Sequence, residues 1–238
     1  MDLPQDIVLS IRSIAPTIVF DLDGCLVHSS PDIALALNTT LASHGAQFSL
    51  RDVERMVGDG LSALFDKAVA ASALSLDDAE HHALSTAFRE RYAAAPSANS
   101  HPREFVATAA RTLGRSGARL AVCTNKVEPI ALAMMDTLGL TPAFDAIIGH
   151  VPDRPKKPAA EPLALAVELA GGRLGNAVMV GDSKADLGAA RSAGIPCVLV
   201  TGGYGPDSAR SLGADFIAED LEELIAAILV ATGCVEDP

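Results

Sequence analysis

Short apolar runs rich in β-branched residues alternate along the chain with longer stretches in which apolar residues recur at helical spacing. The short runs predict five strands, at residues 17–20, 119–123, 146–149, 177–180 and 196–200. The longer stretches predict helices at residues 103–116, 129–138, 162–170, 185–193 and 221–231. Strand–helix alternation of this kind predicts an α/β fold, with a parallel sheet that carries helices on both faces.

Residues 29–100 interrupt this alternation of strands and helices. Their pattern predicts no strand but four helices, at residues 32–44, 50–57, 61–72 and 77–95. Gly45 and residues 99–102 are typical of turns and are the expected hinge points. We therefore predict two domains: a core of residues 1–28 and 101–238, and a small all-helical cap of residues 29–100 that is inserted after the first strand and can close over the strand ends.

Composition narrows the range of partners. The chain has 238 residues, 49% of them hydrophobic, which is enough for a sizeable core. Its net charge of −12 argues against nucleic acid, because binding to a phosphate backbone needs clustered Lys and Arg. An acidic protein that handles an anionic ligand must instead concentrate positive charge locally, through side chains, helix N-termini or a metal ion.

Location and redox state follow from what the sequence lacks. No apolar run is long enough to span a membrane, and the first sixteen residues contain no apolar core of a secretory signal. A cytoplasmic protein that does not bind membranes is the expectation. Four widely spaced cysteines, with no CxxC pair, predict neither a disulfide framework nor a zinc site.

The first candidate for chemistry follows the first predicted strand. Asp21 and Asp23 are two positions apart, and Gly24 permits a sharp turn after them. Two carboxylates this close either share a cation or hold a proton between them. In phosphoryl transfer, one could attack phosphorus and bind Mg²⁺ while the other protonates the leaving alkoxide. An acidic turn that merely ends a strand explains the same residues equally well.

Two basic or hydroxyl-bearing segments are weaker candidates. Thr124 and Asn125 follow the second predicted strand, where a hydroxyl and backbone N–H groups could cradle a phosphoryl group, or simply cap a helix. Lys156 and Lys157 precede Pro158 in a chain with few lysines. A lysine ammonium suits a phosphate oxygen, although adjacent lysines are more often solvated surface.

A second acidic turn follows the fourth predicted strand. Asp182 and Asp186 are four residues apart, so in a helical turn they face the same side. Their carboxylates could complete the oxygen shell that Mg²⁺ requires. Acidic residues that stabilise the start of a helix would give the same pattern.

Taken together in this order, the four motifs resemble those of the haloacid dehalogenase-like superfamily, and the resemblance covers nearly the whole chain. It implies a Rossmann-like core with a helical cap. It also implies that Asp21 is the nucleophile, that Asp23 is the general acid/base, and that Thr124 and Lys157, rather than Lys156, bind the phosphoryl group. By the same resemblance, Mg²⁺ would be held by Asp21, Asp182 and the main-chain carbonyl of Asp23, with Asp186 in support.

Within the superfamily, the chain is most similar to the phosphoglycolate phosphatase subgroup. The similarity lies in residues 57–60, 124–126, 180–183, 190–194 and 201–205. It implies a small phosphorylated metabolite as substrate, most specifically 2-phosphoglycolate, and a monomer or homodimer. Residues expected to contact substrate are Gly24, Thr124, Asn125, Lys157, Gly58, Asp59 and Gly60. Cys25 and Arg103 depart from the subgroup's usual residues.

Two other functions remain open at this point. A sugar-phosphate mutase of the β-phosphoglucomutase kind shares all four motifs and would return the phosphoryl group to a sugar hydroxyl. A non-catalytic sensor could keep the pocket and bind a phosphorylated ligand without turnover. Product analysis and steady-state phosphate release distinguish these functions.

Overall fold

The structure is a computed structural model that describes residues 2–205, 207 and 209–236. Its centre is a sheet of six strands: β1 (Thr17–Phe20), β4 (Arg119–Val127), β5 (Ala146–His150), β6 (Ala177–Gly181), β7 (Cys197–Val200) and β8 (Phe216–Ala218). The strand order is β5-β4-β1-β6-β7-β8, and every neighbouring pair is parallel. The predicted α/β fold is therefore confirmed.

Strand β1 lies inside the sheet and is buried on both faces. Ile18 and Phe20 belong to the apolar core on one face, and Val19 belongs to the core on the other. Side chains alternate between the faces of a strand, so a strand covered on both sides must be apolar at every position. This explains why β1 has the short continuous apolar run that the sequence shows.

Helices cover both faces of the sheet. Helices α1 (Gln5–Ile14), α6 (Glu104–Ser116), α7 (Glu128–Thr137) and α11 (Leu221–Ala231) pack on the face of Phe20. Helices α8 (Glu161–Leu169), α9 (Lys184–Ala193) and α10 (Ala209–Leu212) pack on the face of Val19. In the described part of the chain, none of the helices combines the length and the apolar character that crossing a bilayer requires.

The sequence pattern missed or misjudged several elements. Helices α1 and α10 and strand β8 were not predicted, because they are short or lie at the edge of the fold. Strand β4 was predicted to end at residue 123, but it continues to Val127. Its pairing with β5 shifts register between Cys123 and Val127, and the polar residues 124–126 lie in this irregular stretch. The apolar run therefore ends before the strand does.

Four helices form a second packing unit: α2 (Ser30–Leu41), α3 (Leu50–Met56), α4 (Leu61–Ser72) and α5 (Asp78–Ala94). They share an apolar core of their own that includes Leu37, Phe65 and Phe88. The predicted first helix ends at Leu41, and a 3₁₀ turn closes the segment at Gly45, whose φ is 72°.

The chain enters and leaves this unit through two short strands. Strand β2 (Val27–His28) pairs antiparallel with β3 (His101–Pro102), an element that the sequence did not predict. This pairing holds the points at which the chain enters and leaves the helical unit next to each other. That residues 29–100 act as a separate cap stays a prediction.

Candidate active site

The carboxyl ends of three neighbouring strands bring the predicted polar residues together. Asp21 follows β1, Thr124 lies on β4 and Asp182 follows β6, and β1 pairs directly with both β4 and β6. The backbone N–H of Asp21 donates to the carbonyl of Val180 at 2.9 Å, which carries the pairing past the end of β1. Ligands of parallel α/β sheets bind at this edge.

Lys157 occupies the centre of the cluster. Its ammonium donates to Asp21 Oδ1 at 2.7 Å, to Asp186 Oδ1 at 2.6 Å and to the carbonyl of Cys123 at 2.7 Å. Burial alone would lower the pKa of Lys157, but the charges of Asp186 and Asp21 outweigh burial and the net shift is well upward. Lys157 is therefore a permanent buried cation beside Asp21.

Asp186 organises the loop after β6. Its Oδ2 accepts hydrogen bonds from the backbone N–H and hydroxyl of Ser183, at 3.1 and 2.7 Å, and from the N–H of Asp182 at 3.2 Å. This is a capping box at the start of α9, with Ser183 as the N-cap residue. Both carboxylate oxygens of Asp186 are thus engaged, one by the loop and one by Lys157.

The carboxylates of Asp21, Asp182 and Asp186 could hold a metal ion. Their nearest oxygens all lie within 4.8 Å of one another, and oxygen ligands suit hard divalent cations. Among the described residues, Asp182 Oδ1 is buried without a hydrogen-bond partner. Burial raises the pKa of Asp182 well above its usual value, and the charges of Asp186 and Asp21 raise it further. A buried, unpartnered carboxylate oxygen fits the role of a ligand atom.

The ionised form of Asp21 is destabilised even though Lys157 lies beside it. Burial raises its pKa from 3.8 to about 7, an effect that Lys157 only partly offsets. The carboxylate therefore takes up a proton near neutral pH unless further positive charge approaches it.

Asp23 points away from the carboxylate cluster. Its Oδ1 accepts hydrogen bonds from Ser29 Oγ at 2.5 Å and from Lys126 Nζ at 2.7 Å, and its Oδ2 accepts from the same ammonium at 3.0 Å. Asp21 and Asp23 nevertheless line one cavity with Thr124, Asn125 and Lys157. The two carboxylates thus reach the same space from different sides.

Asn125 links three segments of the chain. Its amide donates to the carbonyls of Gly58 and Lys157, at 3.0 Å each, and its Oδ1 accepts from the N–H of Lys157 at 2.9 Å. Asn125 therefore positions the Lys157 loop and ties it to the helical unit. Its expected contact with substrate stays a prediction, because the structure shows both ends of the amide engaged by protein groups.

Gly58, Asp59 and Gly60, which lie between α3 and α4, do not act together. Gly58 and Gly60 line the cavity, whereas the carboxylate of Asp59 pairs with Lys67 at 2.7 Å and is absent from the residues that line it. Lys156 Nζ donates to the carbonyl of Asp59 at 3.3 Å, so Lys156 contacts the helical unit and Lys157 contacts Asp21.

Gly24 is required by the packing of the turn after Asp23. Its φ is 86°, and a Cβ on it would overlap with the Asp182 carboxylate and the Tyr204 ring. Its carbonyl accepts from the Arg103 guanidinium, which also donates to the carbonyl of Thr201 at 2.7 Å. Gly24 therefore shapes the site and, unlike Gly58, does not line the cavity.

Gly203 provides a test of how tightly the Asp182 side chain is enclosed. A Cβ on Gly203 would overlap with Cβ and Oδ2 of Asp182. We expect Gly203→Ala to displace Asp182, to destabilise the protein by about 1–3 kcal/mol, and to reduce turnover. Gly175→Ala is the matched control, since a Cβ there meets nothing within 4 Å. Thermal unfolding and steady-state assays of both variants check this, and a Gly203→Ala protein equal to wild type would contradict it.

The sequence reasoning missed several residues around the site. Lys126 and Tyr92 were given no role, Ser29 was not considered, and Arg103 was noted only as a departure from the subgroup. Tyr204 accepts a hydrogen bond from the N–H of Ser30 at 3.0 Å, which joins the loop after β7 to the start of α2. The position of Lys126, directly after Thr124 and Asn125, was the signal in the sequence that could have identified it.

Two curated relatives are similar in sequence to this chain over most of their length. A phosphoglycolate phosphatase from Caulobacter vibrioides is 39% identical over 220 residues, which is 92% of this chain and 93% of the relative. A phosphoglycolate phosphatase from Mesorhizobium japonicum is 40% identical over 190 residues, or 79% and 84% of the two chains.

Solved structures share the fold. A crystal structure described as a predicted phosphoglycolate phosphatase from Haemophilus somnus superposes with a TM-score of 0.83 at 28% identity, covering 90% of this chain and 98% of the other. Residues 15–194 also match the haloacid dehalogenase-like hydrolase family. These residues include every motif that meets at the strand ends, and the chain therefore belongs to the haloacid dehalogenase-like hydrolase family.

Proposed function

We propose that this protein is a Mg²⁺-dependent phosphatase that hydrolyses 2-phosphoglycolate through a phosphorylated Asp21. The observation that carries the proposal is that Asp21 and Asp23 line one cavity, with the Lys157 ammonium 2.7 Å from Asp21. The relatives named phosphoglycolate phosphatase, at 39% and 40% identity, support the choice of substrate. Phosphoryl transfer by this family typically proceeds through an aspartyl phosphate.

In the first step, a carboxylate oxygen of Asp21 forms a bond to phosphorus while the bond from phosphorus to the ester oxygen breaks. Asp23, as a carboxylic acid, gives its proton to the departing alkoxide, which leaves as glycolate. Asp23 suits this role because it lies in the cavity but outside the cluster around Lys157.

In the second step, Asp23 takes a proton from a water molecule whose oxygen attacks phosphorus. The bond between phosphorus and Asp21 breaks, phosphate leaves, and Asp23 again holds the proton that it needs for the next cycle. One residue thus serves as acid and then as base.

Positive charge stabilises the transferring group. Lys157 stays protonated beside Asp21, and the Thr124 hydroxyl lines the same cavity. We propose that Asp21, Asp182 and the main-chain carbonyl of Asp23 hold Mg²⁺, with Asp186 in support. When bound there, Mg²⁺ supplies a Lewis acid that offsets the charge on the phosphoryl oxygens.

The cavity suits a small substrate. Its core side is lined by the residues above. Its other side is lined by residues of the helical unit: Ile33, Val57, Gly58, Gly60, Leu61 and Leu64. The cavity volume is about 30 Å³. We propose that residues 29–100 act as a cap that excludes water in the first step and admits it in the second. With the cap in this position a two-carbon leaving group is favoured over a sugar.

Protons and Mg²⁺ should compete for the site. Between about pH 4 and 7 the raised pKa of Asp21 lets the folded state hold a proton that the unfolded state releases, so this stabilisation is lost as the pH rises through 7. A divalent cation needs ionised carboxylates, and its effect has the opposite dependence. We expect Mg²⁺ to raise the melting temperature more at about pH 8 than at about pH 5.5.

Thermal unfolding with and without Mg²⁺ at the two pH values measures this difference. Asp182→Asn should remove the Mg²⁺-dependent increase, while the exposed Asp136→Asn should keep it. An equal increase at both pH values would show that the buried carboxylates do not bind the ion.

Product analysis tests the proposed reaction. The purified protein with Mg²⁺ should release free phosphate and glycolate from 2-phosphoglycolate over many turnovers. With glucose 1-phosphate, a mutase would form an isomer of the sugar phosphate instead of phosphate. Binding without steady-state release of phosphate from any small monoester would indicate a sensor, and either of these results would overturn the proposal.

The setting that we propose follows from charge and composition. The net charge of −12 argues against nucleic acid as the partner, and the relatives named phosphoglycolate phosphatase support a small phosphorylated metabolite. We propose that the protein works in the cytoplasm, away from membranes, as a monomer or homodimer.

A further inference from the structure

Lys126 is a second buried cation at the site, and the hydrolytic mechanism does not use it. Its ammonium makes two contacts with the Asp23 carboxylate, at 2.7 and 3.0 Å, and donates to Tyr92 Oη at 2.5 Å. The same ammonium lies 4.8 Å from the centre of the Tyr92 ring. Only 1% of the Lys126 side chain is exposed to solvent.

Keeping this ammonium buried is costly. Removing a charge from water costs several kcal/mol, and pairing recovers that cost only when the geometry is good. Burial would lower the pKa of Lys126, but the charge of Asp23 and the hydrogen bonds to Asp23 and Tyr92 outweigh burial, and the net shift is upward. The protein thus maintains a protonated lysine where an apolar residue would serve packing as well.

Its position relative to Asp23 is informative. Asp23 has to reach the ester oxygen, because it protonates that atom as the ester bond breaks. A group that is hydrogen-bonded to Asp23 therefore lies close to the substituent on the carbon atom attached to the ester oxygen. In 2-phosphoglycolate that carbon carries a carboxylate.

The lining of the cavity, among the described residues, contains two cations that could pair with such a carboxylate, Lys126 and Lys157. On the side of the helical unit it consists of apolar side chains and glycines: Ile33, Val57, Gly58, Gly60, Leu61 and Leu64. Among the described residues that line the cavity, the other lysine is Lys157, and its ammonium is already shared between Asp21 and Asp186. An anionic substituent in this apolar space would be stabilised chiefly by Lys126.

We propose that Lys126, supported by the Tyr92 hydroxyl, binds the carboxylate of the substrate and so selects phosphomonoesters that carry an acid group on the carbon next to the ester oxygen. This inference rests on the proposed function. In forming the new ion pair, Lys126 gives up one of its contacts with Asp23, and Asp23 becomes free to approach the ester oxygen. Tyr92 belongs to α5, so recognition of the acid also involves the helical unit.

The test compares two substrates that differ only in the acid group. Ethyl phosphate has a methyl group where 2-phosphoglycolate has a carboxylate. We expect wild type to prefer 2-phosphoglycolate in kcat/KM by about 10- to 100-fold, the usual value of a hydrogen bond to a charged group. Lys126→Met should abolish most of this preference, and Tyr92→Phe should reduce it less.

Lys184→Met, at an exposed lysine of α9 that does not line the cavity, is the matched control and should keep the preference. The ratio of the two kcat/KM values is measured on one preparation, so it does not depend on how much of a variant is folded. A residue that only positions Asp23 would lower both values equally.

The outcomes separate this inference from the proposed function. An equal loss on both substrates in Lys126→Met, or a wild type that hydrolyses both equally well, would overturn carboxylate recognition and leave the phosphatase in place. A wild type with Mg²⁺ that hydrolyses neither substrate would overturn the proposed function itself. A selective loss of kcat/KM for 2-phosphoglycolate in Lys126→Met would support both the carboxylate recognition and the proposed function.

Discussion

Asp21→Asn is expected to abolish turnover while leaving the fold intact. An amide cannot form the acyl phosphate, and loss of a covalent nucleophile lowers kcat by on the order of 10⁴- to 10⁶-fold. The fold should survive, because Lys157 keeps its ion pair with Asp186 at 2.6 Å and the backbone bond from residue 21 to Val180 does not involve the side chain. Steady-state phosphate release and thermal unfolding measure the two effects separately.

Asp136→Asn is the control for this substitution, because it makes the same chemical change at an exposed position of α7. It should retain wild-type activity. If the Asp21→Asn protein hydrolysed substrate at the wild-type rate, Asp21 would not be the nucleophile.

Lys157→Met is expected to be the most destabilising change at the site. It removes the cation between Asp21 and Asp186, which are both buried, and breaking a buried ion pair from one side costs about 3–5 kcal/mol. Turnover should also be lost, since the phosphoryl group loses its nearest ammonium. Chemical denaturation gives the free energy of unfolding, and added Mg²⁺ should restore part of it by supplying positive charge.

Lys156→Met provides a sharp comparison. The two lysines are adjacent, yet Lys156 is only partly buried, and the contact described above joins it to a carbonyl rather than to a carboxylate. Its replacement should cost little stability. Equal destabilisation by the two substitutions would show that the ion pairs of Lys157 are not the cause.

The sequence was sufficient to place the main candidate residues at one edge of the sheet. Asp21, Thr124 and Asp182 each follow or end an apolar run that reads as a buried strand, and parallel strands have their carboxyl ends at the same edge. Chain order and strand polarity therefore bring these residues together without any knowledge of their distances. Lys157 is harder to place, because it lies in a loop and only the resemblance distinguished it from Lys156.

Contacts between distant segments could not be predicted from pattern alone. Lys126, on strand β4, pairs with Asp23, 103 positions away, and with Tyr92, 34 positions away on helix α5. Neither residue has a periodic signal that distinguishes a partner in the site from a core residue. The extension of β4 was not predicted, because polar residues 124–126 follow the apolar run while the strand continues through an irregularity in its pairing with β5.

The interior position of β1 has a consequence for how the chain acquires its structure. Synthesis delivers residues 17–20 early, but their hydrogen-bonding neighbours at residues 119–122 and 177–180 emerge much later. Until both partner strands have been made, this largely apolar segment is incompletely paired, which makes the nascent chain prone to aggregation. Such long sequence separations between paired strands also slow folding. Because β1 pairs with residues 177–180, Asp21 can reach its place only after roughly three quarters of the polypeptide has been made.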